Sequence, residues 1–471
     1  MPIETLVRRL TLLVLALLGS AYALFAQDTS SFNTLCRAAL TANLVQDGRI
    51  DVDGYEELTR DISFREGHYY CDKAPGMSFL ATPAAAVFIQ ASQITPATVY
   101  SRDWHVFLYL CALTTSGLLC AGAGALLFRH LFERTNDVWG ALAGAAAFGL
   151  ATPVWGWATS FFSHAATAAL LVMGFIALDN AIRGIEKRRA LAPAVLAGLA
   201  LGGATAVEYS TLIPALLIGA ALAASAPWSR FWDVARVFAI TGLAAVAALL
   251  PVLWYHAAAF GSPLVAGYAY PAYFTATQQG LFGIGVPRLD VLGALLVSSD
   301  RGVVWYAPIV IAALWAAIRL LRTPSQRVAG AAVILVLAWY FTMNAGFAYW
   351  RGGFSTGPRY LTPCLGFAAL AIGLAWPRLG GWERRGTLVL LAVSIAINFA
   401  AAAVDMTAND DSPIAEQIAS AFFRGDLYHA VTYYIFPHPS LAHFAAPLLA
   451  FGLFGWLIWR TAGRLRSVQA P

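Results

Sequence analysis

The chain has 471 residues, of which 59% are hydrophobic and only 12% are charged, and its formal net charge is +5. Soluble domains carry about 45–50% apolar and about 25% charged residues, so this composition excludes an ordinary soluble protein. The positive charges lie at the ends of apolar segments and form no basic stripe, which excludes a nucleic-acid-binding surface. The five cysteines show neither a disulfide framework nor a zinc-site spacing.

Apolar runs of about 20 residues follow one another along the chain, and each is long enough to cross about 30 Å of hydrocarbon. A transmembrane β-barrel would instead show alternating segments of about 10 residues. We therefore predict an all-α polytopic membrane protein with about 12 transmembrane helices and with juxtamembrane helices in its first outer loop.

The first predicted element is the apolar segment 10–26, which follows Arg8 and Arg9. Positive residues favour the cytoplasmic side, so the N-terminus is predicted to be cytoplasmic and the next segment to be outside. A cleaved signal peptide is the alternative, because Ala21-Tyr22-Ala23 is similar to a cleavage site. The polytopic sequence that follows favours a retained helix.

A polar segment, residues 27–103, then interrupts the apolar sequence and contains its densest group of acidic residues. It also contains Lys73, one of only two lysines in the chain. Ionisable groups beside a membrane need a reason, because the bilayer cannot solvate them. We interpret this segment as the catalytic face of a membrane enzyme.

Residues 77–93 are apolar but short and contain Pro83, so they form either a second span or a juxtamembrane helix. If they crossed, all later arginine clusters would lie outside, against the positive-inside rule, so the juxtamembrane placement is favoured. Both termini are then cytoplasmic. The later spans are expected at about 104–128, 138–155, 164–182, 191–207, 211–226, 237–257, 302–318, 329–345, 360–376, 387–404 and 441–459.

This topology divides the chain into successive parts with different expected environments. They are the first transmembrane helix (1–26), the outer catalytic loop (27–103), helices two to seven (104–257), a second outer loop (258–301), the remaining helices with an outer loop at 405–440 (302–459), and a cytoplasmic tail (460–471). The inner connections are short, so chemistry is expected outside. Nucleotide-activated donors and ATP are absent there, whereas a sugar carried across the membrane on a polyprenyl phosphate fits.

Motifs in these loops resemble the GT-C membrane glycosyltransferases, in the protein O-mannosyltransferase and lipid A aminoarabinose transferase branch (glycosyltransferase family 39-like). Asp28 directly follows the first span, and Tyr70-Cys71-Asp72-Lys73-Ala74-Pro75 closes the first outer loop. A second large outer loop lies between the seventh and eighth predicted spans. Segments 298–308 and 357–363 are similar to segments of bacterial members. The chain departs from the family pattern at Thr29, where an acidic residue is common, and at Ala74, where the pattern has a second proline.

The resemblance implies transfer of a sugar from a polyprenyl-phosphate donor to an acceptor that is a lipid, a polysaccharide or a protein. Such a reaction needs a base for the acceptor hydroxyl and cations for the leaving phosphate. We predict Asp28 as the base, Lys73 on the donor phosphate, and Asp72 orienting Lys73 or contacting the acceptor. The alternatives are a hydrated Asp28 at a helix end and a surface ion pair between Asp72 and Lys73.

Three predicted outer arginines, Arg301, Arg351 and Arg359, run against the positive-inside trend. Guanidinium groups bind phosphate with two hydrogen bonds, so all three are candidate substrate-binding residues; the alternative is snorkelling to lipid headgroups.

His164 and Glu208 lie at predicted outer helix ends and are candidate substrate contacts, or else an interfacial histidine and a helix-turn carboxylate. Tyr70 joins this set from its motif, while Tyr268, Tyr270 and Tyr273 are typical of an interfacial aromatic belt and are also candidates for a wall along the polyprenyl chain.

No obligatory cofactor or metal is expected, since lysine and arginine suffice for a phosphate leaving group, although a divalent ion is compatible with the sequence. Asp51-Val52-Asp53 is similar to a DxD motif, but that motif serves nucleotide sugars, which are absent outside. Arg49 and Arg60 occupy ligand positions of an EF-hand pattern, which rules it out. Cys36 and Cys71 both lie in the predicted outer loop, where they either pair or stay free.

The overall prediction is a multi-pass glycosyltransferase of a bacterial plasma (inner) membrane, with no nucleic-acid partner. Alanine richness and the use of arginine in place of lysine are typical of a high-GC bacterium. A transporter or lipid flippase is the alternative, but few charges lie in mid-span and no internal repeat is evident. A structural membrane protein would leave Asp28, Asp72 and Lys73 unexplained.

Overall fold

The computed structural model describes residues 2–25, 27, 31–407, 412–425, 431 and 441–469. Helices dominate it. In chain order they are α1 (Ile3–Ala23), α2 (Phe32–Gln46), α3 (Gly76–Ile89), α4 (Arg102–Ala112), α5 (Leu118–Thr135), α6 (Val138–Gly149), α7 (Val154–Ala158), α8 (Ser163–Gly184), α9 (Leu191–Val207), α10 (Leu212–Ala223), α11 (Phe231–Phe260), α12 (Leu289–Val297), α13 (Val303–Tyr306), α14 (Ile309–Leu321), α15 (Arg327–Gly346), α16 (Thr362–Ala375), α17 (Gly381–Ala403), α18 (Ala421–Arg424) and α19 (Ala445–Gln469).

Eight helices in the described part of the chain are long and apolar enough to cross a membrane. They are Ile3–Ala23, Arg102–Thr135, Ser163–Gly184, Trp228–Phe260, Pro324–Gly346, Arg359–Arg378, Gly381–Ala403 and Ala442–Gln469. The other predicted spans correspond to shorter apolar helices such as α6, α9, α10 and α14. The polytopic helical architecture is confirmed, whereas the predicted number of about 12 spans is not.

The span predicted at 302–318 begins later than expected, and its sequence explains the shift. Pro308 is the N-cap of α14, because its ring removes a backbone donor at the first turn, where that donor has no partner. Residues before it form only the short helix α13. The seven residues 302–308 therefore precede α14 and are not part of it.

The first loop contains a β-hairpin that the sequence did not predict. Strands β1 (Ile62–Arg65) and β2 (His68–Cys71) pair antiparallel, with Ile62 opposite Cys71. Glu66 and Gly67 connect them with φ angles of 52° and 87°, the left-handed conformation that tight hairpin turns require. Two four-residue runs around a glycine were the sequence signal for this element.

Polar contacts identify the two ends of the helix bundle. At one end Glu4 Oε1 lies 3.0 Å from Arg129 Nη2, and Gln469 Nε2 donates to Asn136 Oδ1 at 2.8 Å, so both ends of the chain lie there. At the opposite end, which we call the loop end, the Gln27 backbone donates to Thr159 O and its side chain donates to Ala402 O. The first loop and its hairpin cover the loop end.

Helices α8 and α16 form the centre of the bundle. In the apolar 18-residue stretch of each helix, 78% of the residues are buried in Ser163–Gly184 and 89% in Arg359–Arg378. The corresponding share in Trp228–Phe260 is only 17%. Because His164 and Arg359 lie where these two central helices begin, the polar groups of the loop end converge on the axis of the bundle.

Candidate active site at the loop end

A disulfide joins α2 to the second strand of the hairpin. Cys36 and Cys71 are bonded, with their Cα atoms 5.4 Å apart. Sequence analysis had left this pairing open. Since Arg37 follows one cysteine and Asp72 follows the other, the crosslink fixes two charged residues beside each other.

Lys73 is held between two carboxylates. Its Nζ lies 3.1 Å from Asp72 Oδ1 and 3.3 Å from Asp61 Oδ1, and the Tyr268 ring centre is 5.6 Å away. Burial alone would lower the pKa of Lys73, but the attraction of Asp61 and Asp72 outweighs it and raises that pKa, so the ammonium stays charged. Burial also raises the pKa of Asp72, to about 6, against the opposing effect of Lys73.

Tyr268 and Asp61 were not among the predicted site residues. The loop that carries Tyr268 is fixed to the hairpin, because Ser63 Oγ donates to Gly267 O at 2.7 Å. Its ring therefore lies over Lys73. The backbone N–H of Asp72 donates a hydrogen bond to the backbone carbonyl of Asp61 at 3.2 Å. Neither contact follows from sequence spacing, since both depend on the hairpin.

Arg37 is a further cation that sequence analysis missed. It is 3% exposed, and its Nε donates to Asn33 Oδ1 and its Nη1 to Ala74 O, both at 2.9 Å. Its Nη2 lies 3.4 Å from Ser163 Oγ. A single arginine inside the run of small and apolar residues that forms α2 was the available signal. Arg37 thus connects the Lys73 segment to the start of α8.

Arg359 lies between two aromatic rings. Its guanidinium carbon is 5.3 Å from the Phe162 ring centre and 5.1 Å from that of Tyr360, and Nη2 donates to the Tyr360 hydroxyl at 3.2 Å. Its Nε is buried and makes no hydrogen bond with any residue that the structure describes. A buried charged donor without a partner is costly, so this guanidinium is well placed to receive an anion.

Glu208 anchors the other side of the site, in the turn after α9. Its Oε2 accepts hydrogen bonds from His164 Nδ1 at 3.0 Å, Ser163 Oγ at 3.2 Å and Thr167 Oγ1 at 3.3 Å. Its Oε1 accepts from Ser210 Oγ at 3.1 Å. The His164 ring centre lies 5.4 Å from that of Tyr360, so Glu208, His164 and the Arg359–Tyr360 pair form one cluster.

Gly76 brings the Lys73 segment against the Glu208 turn. A Cβ atom at Gly76 would lie 2.4 Å from the carbonyl oxygen of Ala206 and 2.8 Å from the amide nitrogen of Val207. Only a glycine permits this approach of the two backbones. The predicted residues Asp72, Lys73, His164, Glu208 and Arg359 therefore lie around one buried site, together with Arg37 and Asp61.

Arg301 and Arg351 lie elsewhere at the loop end. Arg301 is fully buried, and its Nη1 and Nη2 donate to the carbonyls of Ser355 at 2.6 Å and Gly353 at 3.1 Å. Arg351 pairs with Asp300 and stacks on Trp350. These contacts fix the loop that precedes Arg359.

Two further predicted site residues have different outcomes. Tyr70 is buried in the hairpin, where its ring packs 5.5 Å from that of Phe260. Asp28 lies outside the described residues, so its role stays a prediction.

The hairpin also brings three potential metal ligands together. One ligand atom from each of Asp51, Asp53 and His68 lies within 4.8 Å of the others. Asp53 already binds His68 Nδ1 at 2.6 Å and the Tyr69 amide at 2.7 Å, and Asp51 pairs with Arg49. These contacts explain the cluster without an ion.

An apolar cavity of about 910 Å³ lies between α1, α17 and α19. Its walls include Leu17, Trp155, Phe399 and Phe451. Phe25 contacts this wall, with ring centres 5.9 Å from Trp155 and 5.8 Å from Phe399. The cavity therefore reaches the point where α1 ends and Gln27 enters the loop end.

Comparison with known proteins identifies the architecture. No family model and no curated protein matches the sequence. Among solved structures, crystal structures of ArnT from Cupriavidus metallidurans bound to undecaprenyl phosphate and in the apo state are similar to it, each with 16% identity and a TM-score of 0.50. The match covers 98% of this chain and 77% and 76% of those chains. The chain therefore has the GT-C fold of ArnT, the lipid A aminoarabinose transferase, as its motifs predicted.

Proposed function

We propose that this protein is a membrane glycosyltransferase that transfers a sugar from a polyprenyl-phosphate donor to a cell-envelope acceptor. The observation that carries the proposal is the convergence of Lys73, Arg37 and Arg359 on one buried site, from three separate segments of the chain. Sugar transfer from such a donor leaves negative charge on the phosphate, and cations held in a water-poor site stabilise that charge. The structural likeness to ArnT bound to undecaprenyl phosphate supports the same donor class.

The apolar cavity beside Phe25 supports a lipid-borne donor. An isoprenoid chain needs a purely apolar path, and the cavity wall is built from leucine, tryptophan and phenylalanine side chains. Burial of such a chain contributes about 0.8 kcal/mol for each CH₂ group removed from water, although a membrane lipid retains much of that contribution outside the protein. We therefore expect the cavity to orient the isoprenoid chain of the donor more than it increases the affinity for the donor.

Location and cofactors follow from the same site. A disulfide between Cys36 and Cys71 persists only in an oxidising compartment, which supports an extracytoplasmic site in a bacterial inner membrane with both termini cytoplasmic. Three cations suffice for a monophosphate leaving group, so the reaction is proposed to need no obligatory metal. The acceptor is a lipid, a polysaccharide or a protein.

The first test measures binding of undecaprenyl phosphate by the purified full chain in detergent. Lys73→Gln and Arg359→Gln are each expected to weaken binding by about tenfold to a hundredfold, since each removes a charge-assisted hydrogen bond of about 1.5–3 kcal/mol. Lys187→Gln is the matched control, because Lys187 is the other lysine and is exposed at the opposite end of the bundle. Undecaprenol, which lacks the phosphate, should bind equally to all variants.

The second test is mass spectrometry of cell-envelope glycans in a deletion strain. One sugar modification should disappear, return with the wild-type chain or Lys187→Gln, and stay absent with Lys73→Gln. An unchanged glycan profile in the deletion strain, or equal phosphate binding by Lys73→Gln and the wild type, would contradict the proposed function.

A further inference from the structure

Glu208 is held by hydrogen bonds on both of its carboxylate oxygens. Its two oxygens already accept four hydrogen bonds, from His164, Ser163, Thr167 and Ser210. Oε2 accepts three of these bonds and so orients His164, Ser163 and Thr167, whereas Oε1 accepts only the bond from Ser210. Oε2 of Glu208 therefore acts on His164, and the predicted contact between Glu208 and a substrate stays a prediction for Oε1.

His164 is left with one free nitrogen. Because Nδ1 faces the carboxylate, it carries the hydrogen in the neutral ring, and Nε2 carries the lone pair. Nε2 is buried and makes no hydrogen bond with any described residue, and the residue is only 4% exposed. A buried acceptor without a partner is costly, so a hydroxyl group bound at this position would complete its contacts.

The surroundings of His164 connect it to the phosphate site. Its ring lies 5.4 Å from Tyr360 and 6.1 Å from Phe162, the two aromatic residues that hold Arg359. Glu208, Arg359 and Arg37 are the charged groups that act on the ring. Because Nδ1 is hydrogen-bonded to Glu208, the carboxylate stabilises the imidazolium once a proton has arrived at Nε2.

We propose that His164 is the proton acceptor of the glycosyl transfer and that Glu208 is its positioning residue. The inference rests on the proposed function and reassigns only the role predicted for Asp28. The acceptor hydroxyl oxygen forms a bond to the anomeric carbon of the donor sugar while the bond from that carbon to the phosphate oxygen breaks. The bonding pair leaves with polyprenyl phosphate, and the hydroxyl proton moves to His164 Nε2, from which it later passes to solvent.

The decisive variant is His164→Asn. An asparagine amide keeps a donor for Glu208 at the place of Nδ1 but has no atom at the place of Nε2. Undecaprenyl phosphate binding should stay within twofold of the wild type, while transfer of labelled sugar from the lipid pool into the envelope fraction of membrane vesicles should fall about 10²- to 10⁴-fold. Glu208→Gln should lose about tenfold in transfer, because the ring keeps its place but loses the charge that stabilises the imidazolium.

Further variants separate catalysis from structure. His164→Gly should regain at least tenfold in transfer when free imidazole is added, which a structural role would not allow. His68→Gln is the matched control, since His68 is exposed on the hairpin and should transfer sugar as the wild type does. Asp28→Asn should retain more activity than His164→Asn.

Three results would overturn the assignment: transfer by His164→Asn within threefold of the wild type, loss of undecaprenyl phosphate binding in proportion to loss of transfer, or an inactive Asp28→Asn beside an active His164→Asn. These outcomes are distinct from failure of the proposed function, in which Lys73→Gln would also bind undecaprenyl phosphate and transfer sugar at wild-type rates.

Discussion

Asp72 combines nearly complete burial with a direct contact to a cation. Its side chain is 2% exposed, and Lys73 Nζ lies 3.1 Å away. Burial raises its pKa to about 6 from an ordinary value of 3.8. The folded state therefore favours the protonated carboxyl group of Asp72. The resulting contribution to the free energy of unfolding is fully present below about pH 4 and is lost as the pH rises through about 6.

We expect this titration to be visible as a difference between the wild type and Asp72→Asn. Between pH 4 and pH 6.5 the free energy of unfolding of the wild type should fall by roughly 3 kcal/mol relative to the variant. The measurement is denaturant or thermal unfolding in detergent at several pH values. Asp47→Asn, at an exposed position, serves as the control and should show no such difference. A wild-type curve that rises relative to Asp72→Asn over this range would contradict the assignment.

At the residue scale, the sequence indicated candidate site residues that lie in a motif or at a predicted helix end. Lys73 and Arg359 were predicted because each lies in a recognisable segment beside a predicted span. Arg37 and Asp61 were missed, since their partners are set by the disulfide and the hairpin, and neither pairing is encoded in local spacing. His164 and Glu208 were predicted as substrate contacts, but their mutual hydrogen bond joins residues 44 positions apart and needed the structure.

Among the elements, the contact between α3 and the end of α9 sets the geometry of the site. Gly76 approaches the backbone at Ala206 so closely that an added Cβ would lie 2.4 Å from a carbonyl oxygen. Backbone atoms cannot rotate away as a side-chain end does, so α3 must shift. Lys73 precedes this contact by three residues and Glu208 follows it by two, and the shift separates them.

Gly76→Ala is therefore expected to reduce sugar transfer by at least tenfold. A 1 Å misplacement of catalytic groups is enough for losses of this size. Gly219→Ala is the matched control, because nothing lies within 4 Å of a Cβ at that helical position, and alanine should be neutral or slightly stabilising there. Wild-type transfer by Gly76→Ala in the vesicle assay would show that the contact does not position the site.

The elements themselves were largely predictable. Long apolar runs place most helices within a few residues, because hydrocarbon thickness demands them. The hairpin was missed because its strands have only four residues each, too few for an alternating pattern to stand out. The steric role of Gly76 could not be predicted, because it depends on Ala206, which lies 130 residues further along the chain.

At the scale of the whole molecule, one disulfide crosslinks the first loop, which covers the loop end. The Cys36–Cys71 disulfide closes a sequence separation of 35 residues, and by reducing the entropy that the chain gains on unfolding it stabilises the fold by about 2–4 kcal/mol. The double variant Cys36→Ser, Cys71→Ser should lose stability of that order. It should also lose undecaprenyl phosphate binding, because Arg37 and Lys73 are no longer held side by side.

The same experiment tests the predicted orientation of the chain. A reducing agent should affect the wild type as the double substitution does, and should leave the double variant unchanged. Thiol labelling of intact cells followed by gel electrophoresis reports the oxidation state directly. Free, labelled Cys36 and Cys71 in untreated cells would place the loop end in a reducing compartment and contradict the extracytoplasmic site.

The grip of Asp61 and Asp72 on Lys73 has a consequence for turnover. Under the proposed function, a lipid phosphate that binds Lys73 would have to compete with the carboxylates of Asp61 and Asp72 for the same ammonium. That competition would weaken binding of the donor, and it would equally favour release of the polyprenyl phosphate product, because the carboxylates would pair with the lysine again. The affinity of the protein for its lipid substrate would thus stay low enough to allow repeated turnover.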